Sequence, residues 1–193
     1  MKLYFIRHGQ TDWNVKGKIQ GSCDIELNSA GIEQAEELSR KILDEKLLFL
    51  KIYSSPQKRA IQTAEILSNA TKVDYTIVEG LEEINLGDWE GLSWAEVKER
   101  YPTEYKEWYL NRRDTKPPRG ETYQELLQRV LASLHRITLE NLDPVLIVTH
   151  NAVIKSLQCF LTNSPFHEMK NFNTENCSMI EIDSDILLKG DVV

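Results

Sequence analysis

Leu3-Tyr4-Phe5-Ile6-Arg7-His8-Gly9 is the stretch on which the fold turns. Four apolar residues in a row read as a short buried strand. The run breaks at an arginine and a histidine, so the strand has a polar, reactive end. Arginine supplies a permanent forked positive charge, and histidine a ring nitrogen able to attack phosphorus. The glycine beside them lets the backbone come close to a ligand. Three residues fit that description by chance, so the rest of the chain has to supply the other parts of a site.

Outward from this run, apolar strands and helical periods alternate. Ile32, Ala35, Leu38, Ile42 and Leu43 recur at helical spacing over about residues 30–46. Residues 49–53 read as a second strand. Ser55-Pro56 reads as an N-cap and first-turn proline opening a helix with Ala60, Ile61, Ala64 and Leu67 on one face. Residues 75–78 form a third, β-branched strand. Thr122 and Glu125 have capping-box spacing and start a long helix, and residues 145–149 are a fourth strand. The tail, 178–182 and 186–188 around Asp183-Ser184, reads as a hairpin or sheet edge.

Residues 87–120 behave differently. They hold Trp89, Trp94 and Trp108, three prolines, and broken helical patterns at 93–100 and 103–111. We read them as an insertion capping one edge of a single domain over residues 1–193. The strand-helix alternation predicts an α/β fold: a three-layer α/β/α sandwich with a mostly parallel central sheet, an antiparallel edge strand near the C-terminus and a small helical cap.

A chain of 193 residues fits one domain with a full core. The formal charge of −7 argues against a broad nucleic-acid or anionic-membrane surface, yet leaves room for a local cationic pocket. Cys23, Cys159 and Cys177 are odd in number and lack a Cys-x-x-Cys, so neither a disulfide framework nor a zinc site is expected, and a reducing cytosol fits. The N-terminal apolar run is too short for a signal peptide, and no stretch approaches the ~20 residues of a membrane span. The expectation is a soluble cytoplasmic protein with no metal, cofactor, nucleic-acid or membrane partner; a homodimer stays open.

Ligands of such sheets sit outside the carboxyl ends of the strands. The first strand ends at Arg7-His8, the second leads to Arg59 in the first turn of the next helix, the third precedes Glu82-Glu83, and the fourth runs into His150. Two histidines, two arginines and a glutamate therefore share one rim. Each has a plainer alternative. His8 could be a hydrogen-bonded structural histidine, Arg59 a solvated helix residue, and Glu83 part of a solvated acidic loop. A buried strand rarely ends in an imidazole for packing alone, which favours function for His150. His135 reads as helix surface and His167 as loop.

The matching segments extend well beyond this rim. They are Phe5-Ile6-Arg7-His8-Gly9-Gln10-Thr11 and Trp13-Asn14, Gln20-Gly21 with Asp24, Leu27 and Gly31, Tyr53-Ser54-Ser55-Pro56 with Arg59-Ala60 and Gln62-Thr63-Ala64, Leu81-Glu82-Glu83 with Gly87 and Glu90-Gly91, Pro118-Arg119-Gly120-Glu121-Thr122 with Arg129, and Val148-Thr149-His150. In these the chain resembles the histidine phosphatase superfamily, which includes phosphoglycerate mutases and many small phosphatases, from residue 3 to about 154. The resemblance implies His8 as a nucleophile carrying a phosphohistidine, Arg7, Arg59 and His150 around the phosphoryl oxygens, and Asn14 adding a hydrogen bond. It implies Glu83 as the acid for the leaving oxygen and then the base for water. Gln20 and the Gly21 amide would lie near the substrate. Two neighbouring cations would disfavour protonation of His8, and Glu82 with partial burial would raise the pKa of Glu83. The arginines take the charge-neutralising role, so no metal or cofactor is implied.

Within that family the chain looks closer to a phosphomonoesterase for a small phosphorylated metabolite than to a mutase. It is short, carries Leu86 where mutases have a tyrosine and Trp94 where they have a lysine, and has Gly120-Glu121-Thr122 before the long helix. The stretch 108–118 with Arg112-Arg113 leans toward the mutases. A cofactor-dependent phosphoglycerate mutase and a weakly catalytic phosphate-binding regulator are the alternatives. Asn151 stands where relatives have glycine, narrowing the pocket or adding a donor to the substrate site; Glu26 replaces a common proline and Lys18 a common arginine. The compact branch includes α-ribazole, phosphoserine and broad-specificity phosphatases, and the 87–120 segment is expected to choose among substrates.

Overall fold

The computed structural model describes residues 1–189. In chain order it contains β1 (Lys2–Arg7), α1 (Asp12–Val15), α2 (Ser29–Asp44), β2 (Lys51–Ser54), α3 (Lys58–Thr71), β3 (Tyr75–Ile77), a 3-10 turn (Gly87–Trp89), α4 (Trp94–Arg100), α5 (Pro102–Leu110), α6 (Tyr123–Glu140), β4 (Val145–Thr149), α7 (Asn151–Thr162), a second 3-10 turn (Phe166–Asn171), β5 (Met179–Asp183) and α8 (Ser184–Lys189). The sheet runs β3-β2-β4-β1-β5. Its first four strands are parallel, and β5 lies antiparallel to β1 at the edge. Among the described residues no helix is long and apolar enough to cross a membrane.

The period-two alternation of strand side chains creates the three layers. Leu3, Phe5, Val145 and Ile147 join Leu126, Val130 and Leu134 of α6 and Val153 and Leu157 of α7 on one face. Tyr4, Ile6, Leu146 and Val148 meet Leu38 and Ile42 of α2 and Ala60, Ala64 and Leu67 of α3 on the other. With both faces covered, β1 and β4 read as unbroken apolar runs. Trp89, Val97 and Trp108 of the cap belong to the first of these clusters, so the cap shares the α6–α7 layer's core.

Several boundaries differ from the sequence reading. The second strand begins at Lys51, where pairing with Val145 starts, rather than at 49. The helix after it begins at Lys58 with Gln57 as N-cap, and Ser55 does not cap it. The Ser55 hydroxyl lies 2.7 Å from Nε2 of His150 instead. Of the two readings of the tail the structure has the sheet edge: β5 lies antiparallel to β1, and 186–188 fall in α8, which begins at Ser184, rather than in a second hairpin strand. Helix α7, absent from the reading, follows β4 at once and buries Ala152, Val153, Ile154 and Leu157.

The glycine beside the histidine answers to a different neighbour than expected. A Cβ on Gly9 would lie 2.4 Å from the carbonyl oxygen of Gly31, and one on Gly31 would lie 2.1 Å from that of Gln10. The first turn of α2 presses against the β1 exit, so helix packing, rather than a ligand, requires glycine there.

Candidate active site

Beyond the last residue of β1, the backbone of His8 still donates to the Thr149 carbonyl at 3.0 Å, which ties it to the end of β4. Its side chain is buried, 1 % exposed. Nδ1 lies 2.7 Å from the Gly9 carbonyl oxygen. A carbonyl only accepts, so Nδ1 carries the hydrogen and Nε2 carries the lone pair. Burial, then Arg59 and Arg7, hold the imidazole well below its ordinary pKa, against the opposing pull of the Gly9 carbonyl. The two expected cations act as foreseen, but burial acts more strongly.

Arg59, in the first turn of α3, is fully buried. Two of its guanidinium nitrogens donate to the carbonyls of Cys23 (2.7 Å) and Gly21 (2.9 Å). Arg7 donates from Nη1 to the Thr174 carbonyl at 2.7 Å. Among the described residues each arginine leaves its Nε buried without a partner, as does His150 at Nδ1. The His150 ring is 5.2 Å from that of His8, centre to centre. Burial, Arg59 and then His8 push its pKa well down and favour its neutral form.

Glu83 sits in the loop after β3. Its Oε1 accepts from the backbone N–H of Ile84 at 3.0 Å and of Ala152, in the first turn of α7, at 3.1 Å. Oε2 has only a 3.4 Å contact to the latter, which leaves it the oxygen able to carry a proton. Burial pushes the carboxyl up from its ordinary pKa; Arg59, the Ile84 N–H, Arg7 and the Ala152 N–H pull it down without cancelling that push. The expected contribution of Glu82 is absent, because its carboxylate turns to the Gly80 amide (2.7 Å) and Arg129 (3.4 Å).

These groups face a cavity of about 290 Å³ lined by Arg7, His8, Asn14, Gln20, Gly21 and Glu83, with Asn151 and Trp94 on its wall. Arg59 and His150 are fully buried next to His8, the Arg59 charge acting on its ring and the His150 ring lying 5.2 Å from it. Asn14 Oδ1 accepts from the Thr11 amide at 3.0 Å and from Asn176 at 3.4 Å, and Gln20 Oε1 accepts from the Thr11 hydroxyl at 2.9 Å. With the oxygens committed, both amide groups are left with NH₂ donors unpaired among the described residues. Gly21 adopts φ +50°, where a Cβ would strike the Glu90 carboxylate. The position after His150 is occupied by Asn151, whose Oδ1 accepts a short hydrogen bond from the Thr174 hydroxyl. His135 and His167 are exposed, as expected, the latter on the second 3-10 turn.

Four contributors were not foreseen. Gln57 donates to the Gly21 carbonyl (2.8 Å) and accepts from the Glu83 amide (2.8 Å), linking the two loops that flank the site. Ser55 bonds His150, and Thr174 holds Arg7 and Asn151. Asn176 donates to the His8 carbonyl at 2.9 Å. All are loop polars; their signal lies in the fold rather than in spacing. Arg129 was matched only as a motif position. It donates to the carbonyls of Gly80 (3.1 Å), Glu82 (2.9 Å) and Glu83 (3.1 Å) and pairs with Glu121 at 2.6 Å, so it fixes the Glu83 loop.

A neutral buried imidazole with a free distal lone pair, ringed by unpaired cationic and amide donors and a carboxyl kept toward its neutral form, can transfer a phosphoryl group. The comparisons with known proteins agree. Residues 3–185 match the family model described as histidine phosphatase superfamily (branch 1). The chain is 36% identical over 159 residues to phosphoglycerate mutase-like protein 4 of Arabidopsis thaliana, covering 81% of this chain and 69% of that protein. The solved phosphoserine phosphatase of Entamoeba histolytica superimposes with a TM-score of 0.81 at 31% identity, over 93% of this chain and 89% of that one. The α-ribazole phosphatase of Shigella flexneri does so with a TM-score of 0.82 at 30% identity, over 95% and 90%. The chain belongs to the histidine phosphatase superfamily, branch 1.

Proposed function

We propose that this chain hydrolyses phosphate monoesters of small metabolites without a metal, through a phosphohistidine on His8. The observation that carries this is a buried His8 ring 5.2 Å from that of His150 and under the charges of Arg59 and Arg7, with Arg7 Nε, Arg59 Nε and His150 Nδ1 buried and without a partner among the described residues. A buried guanidinium N–H without a partner costs stability, so the two arginines point to an anion that completes them.

In the first step His8 Nε2 attacks phosphorus. The N–P bond forms, the ester P–O bond breaks, and Glu83 gives its proton to the departing oxygen. In the second, the Glu83 carboxylate takes a proton from water, whose oxygen attacks phosphorus. The N–P bond breaks, its electron pair returns to His8, and inorganic phosphate leaves. Arg7, Arg59, His150 and Asn14 hold the equatorial oxygens, where charge spreads in the transition state. Gln20, the Gly21 backbone and Asn151 touch the rest of the substrate. The relatives named for phosphoserine and α-ribazole phosphates support a small monoester as substrate.

Acid-quenched labelling with a radioactive monoester tests the intermediate: label retained on wild type and absent from His8→Ala is expected, and unlabelled wild-type protein that still turns over would sink the mechanism. Release of free phosphate, set against 2-/3-phosphoglycerate interconversion, separates hydrolysis from the mutase reading that the Arabidopsis relative's name keeps in view. EDTA is expected to leave the rate unchanged, and strong inhibition would overturn metal independence.

A further inference from the structure

The N-cap of α3 is Gln57, and its side chain makes no capping hydrogen bond. Serine, threonine, asparagine and aspartate suit such a position because their short side chains reach back to the free amides of their own helix. The Gln57 side chain is buried instead, 7 % exposed, and spans two loops. Nε2 donates to the Gly21 carbonyl at 2.8 Å, and Oε1 accepts from the Glu83 backbone N–H at 2.8 Å. A carbonyl only accepts and an amide N–H only donates, so the two partners fix which end of the side-chain amide is which. Helix α3 forgoes a side-chain cap, and the residue that would supply it ties the two loops flanking the site.

Arg59 Nη2 donates to the same Gly21 carbonyl at 2.9 Å. A continuous path therefore runs from the Arg59 guanidinium through the Gly21 carbonyl and Gln57 to the main chain of Glu83. A second link joins these loops, because the Glu90 carboxylate accepts from the amides of Ser22 (2.8 Å) and Leu86 (3.0 Å). Ser22 is exposed, so water can stand in for a bond lost there. At Gln57 water has no such access, and a lost bond leaves a buried group unpaired. Gln57 does not line the cavity, so whatever it does for the reaction it does through its two partners. We propose that Gln57 is a positioning residue for phosphoryl transfer, holding the acid Glu83 in register with the Gly21 loop and the Arg59 clamp. The proton then meets the leaving oxygen of a phosphoryl group already seated. This rests on the phosphomonoesterase reading above.

The test is a double-mutant cycle with Glu83→Gln. It is read on whichever of phosphoserine, 3-phosphoglycerate and glycerol 3-phosphate the wild type turns over fastest. Gln57→Met keeps the length of the side chain and removes both hydrogen bonds. It is expected to lower kcat about 10- to 100-fold, the scale of misplacing a reacting group. In the Glu83→Gln background the same substitution should lower kcat about threefold or less, since the acid is already gone and Arg59 still holds the Gly21 carbonyl. General damage to the fold would act alike in both backgrounds. Gln57→Asn keeps the amide but is too short to span both loops, and it should give the same pattern if the Met variant does not fold. Equal losses in both backgrounds, or no loss in either, would overturn the coupling. Wild-type protein that releases no phosphate would instead overturn the phosphatase reading. The coupling is then read without turnover, from the titration of the Glu83 carboxyl by NMR. Arg59, Arg7 and the Ile84 and Ala152 amides face that carboxyl, and burial outweighs them. Loosening the loop in Gln57→Met admits water, so its pKa should fall towards the ordinary carboxyl range; an unmoved titration would overturn the coupling.

Discussion

The floor of the cavity and its cap wall hold positive charge in different ways. On the floor, Arg59 is fully buried and clamped by the carbonyls of Cys23 and Gly21, and Arg7 is tied to the Thr174 carbonyl. On the wall, Arg112 rests on aromatic faces, while Lys98 and Lys170 are exposed. Carbonyl clamps fix a guanidinium to a narrow geometry, whereas a stacked or solvated cation tolerates displacement. Chemistry that requires in-line attack is served by the first kind of hold, and recognition of variable substrates by the second. The difference teaches where to look for rate and where to look for selectivity.

The largest effect should come from the floor. His8→Ala is expected to lower kcat by at least about 10⁴-fold, as removal of a covalent nucleophile does; a residual rate near wild type would erase the distinction between floor and wall. Glu83→Gln comes next, with a loss of about 10²–10⁴-fold on alkyl monoesters and a smaller one on p-nitrophenyl phosphate, whose leaving oxygen needs no proton. The pH profile gives the sign. Glu83 must enter protonated, so the rate falls as pH rises through its raised pKa, and Gln at 83 removes that limb. His8 must be neutral, so the acid limb lies well below the ordinary histidine range. Equal losses on both esters would deny Glu83 the proton transfer.

Arg129→Gln sharpens the same contrast at one remove, because Arg129 touches no substrate. Loosening the Glu83 loop should lower kcat by about 10- to 100-fold, the scale of misplacing a reacting group, and displace the alkaline limb. Arg129→Lys should restore part of the rate, and a kcat loss with an unmoved limb would mark the arginine as merely structural. The smallest effect belongs to the wall. Trp94→Ala, at a half-exposed ring stacked on Trp108, is expected to raise KM about three- to tenfold with little change in kcat. A kcat defect there would mean that the cap takes part in the chemical step.

Legibility follows the same division. β1 and β4 were plain because both faces are buried and their runs are continuously apolar. Their ends announced His8 and His150, and the first turn of α3 announced Arg59. The family motifs located Glu83, but the cause of its raised pKa was hidden, since only the fold shows Glu82 turned to Arg129 and the α7 amide beside the carboxylate. Helix α7 carries a helical signal in Ala152, Val153, Ile154 and Leu157, blurred because the helix follows the apolar run of β4 without a loop. The bond from Ser55 to His150 and the roles of Gln57, Thr174 and Asn176 have no signal in the sequence, because a loop polar has no period and its partners lie up to 168 positions away, as for Asn176 and His8. The cationic wall was equally unreadable: Lys98, Arg112, Lys155 and Lys170 come from α4, the turn after α5, α7 and the second 3-10 turn, and only packing gathers them.

The abutment of Gly9 and Gly31 extends the setting of His8 into genetics. A Cβ on Gly9 would strike the Gly31 carbonyl and one on Gly31 the Gln10 backbone, so a substitution at either wedges α2 away from the β1 exit and displaces His8. In a deep mutational scan these two sites should be nearly as intolerant as the histidine itself. Losing activity at Gly31, twenty-three positions away and outside the cavity, would look like loss of a catalytic residue. The second-site suppressors expected there are shifts of the α2 start, at Asn28 or Gln34, rather than changes around the phosphate.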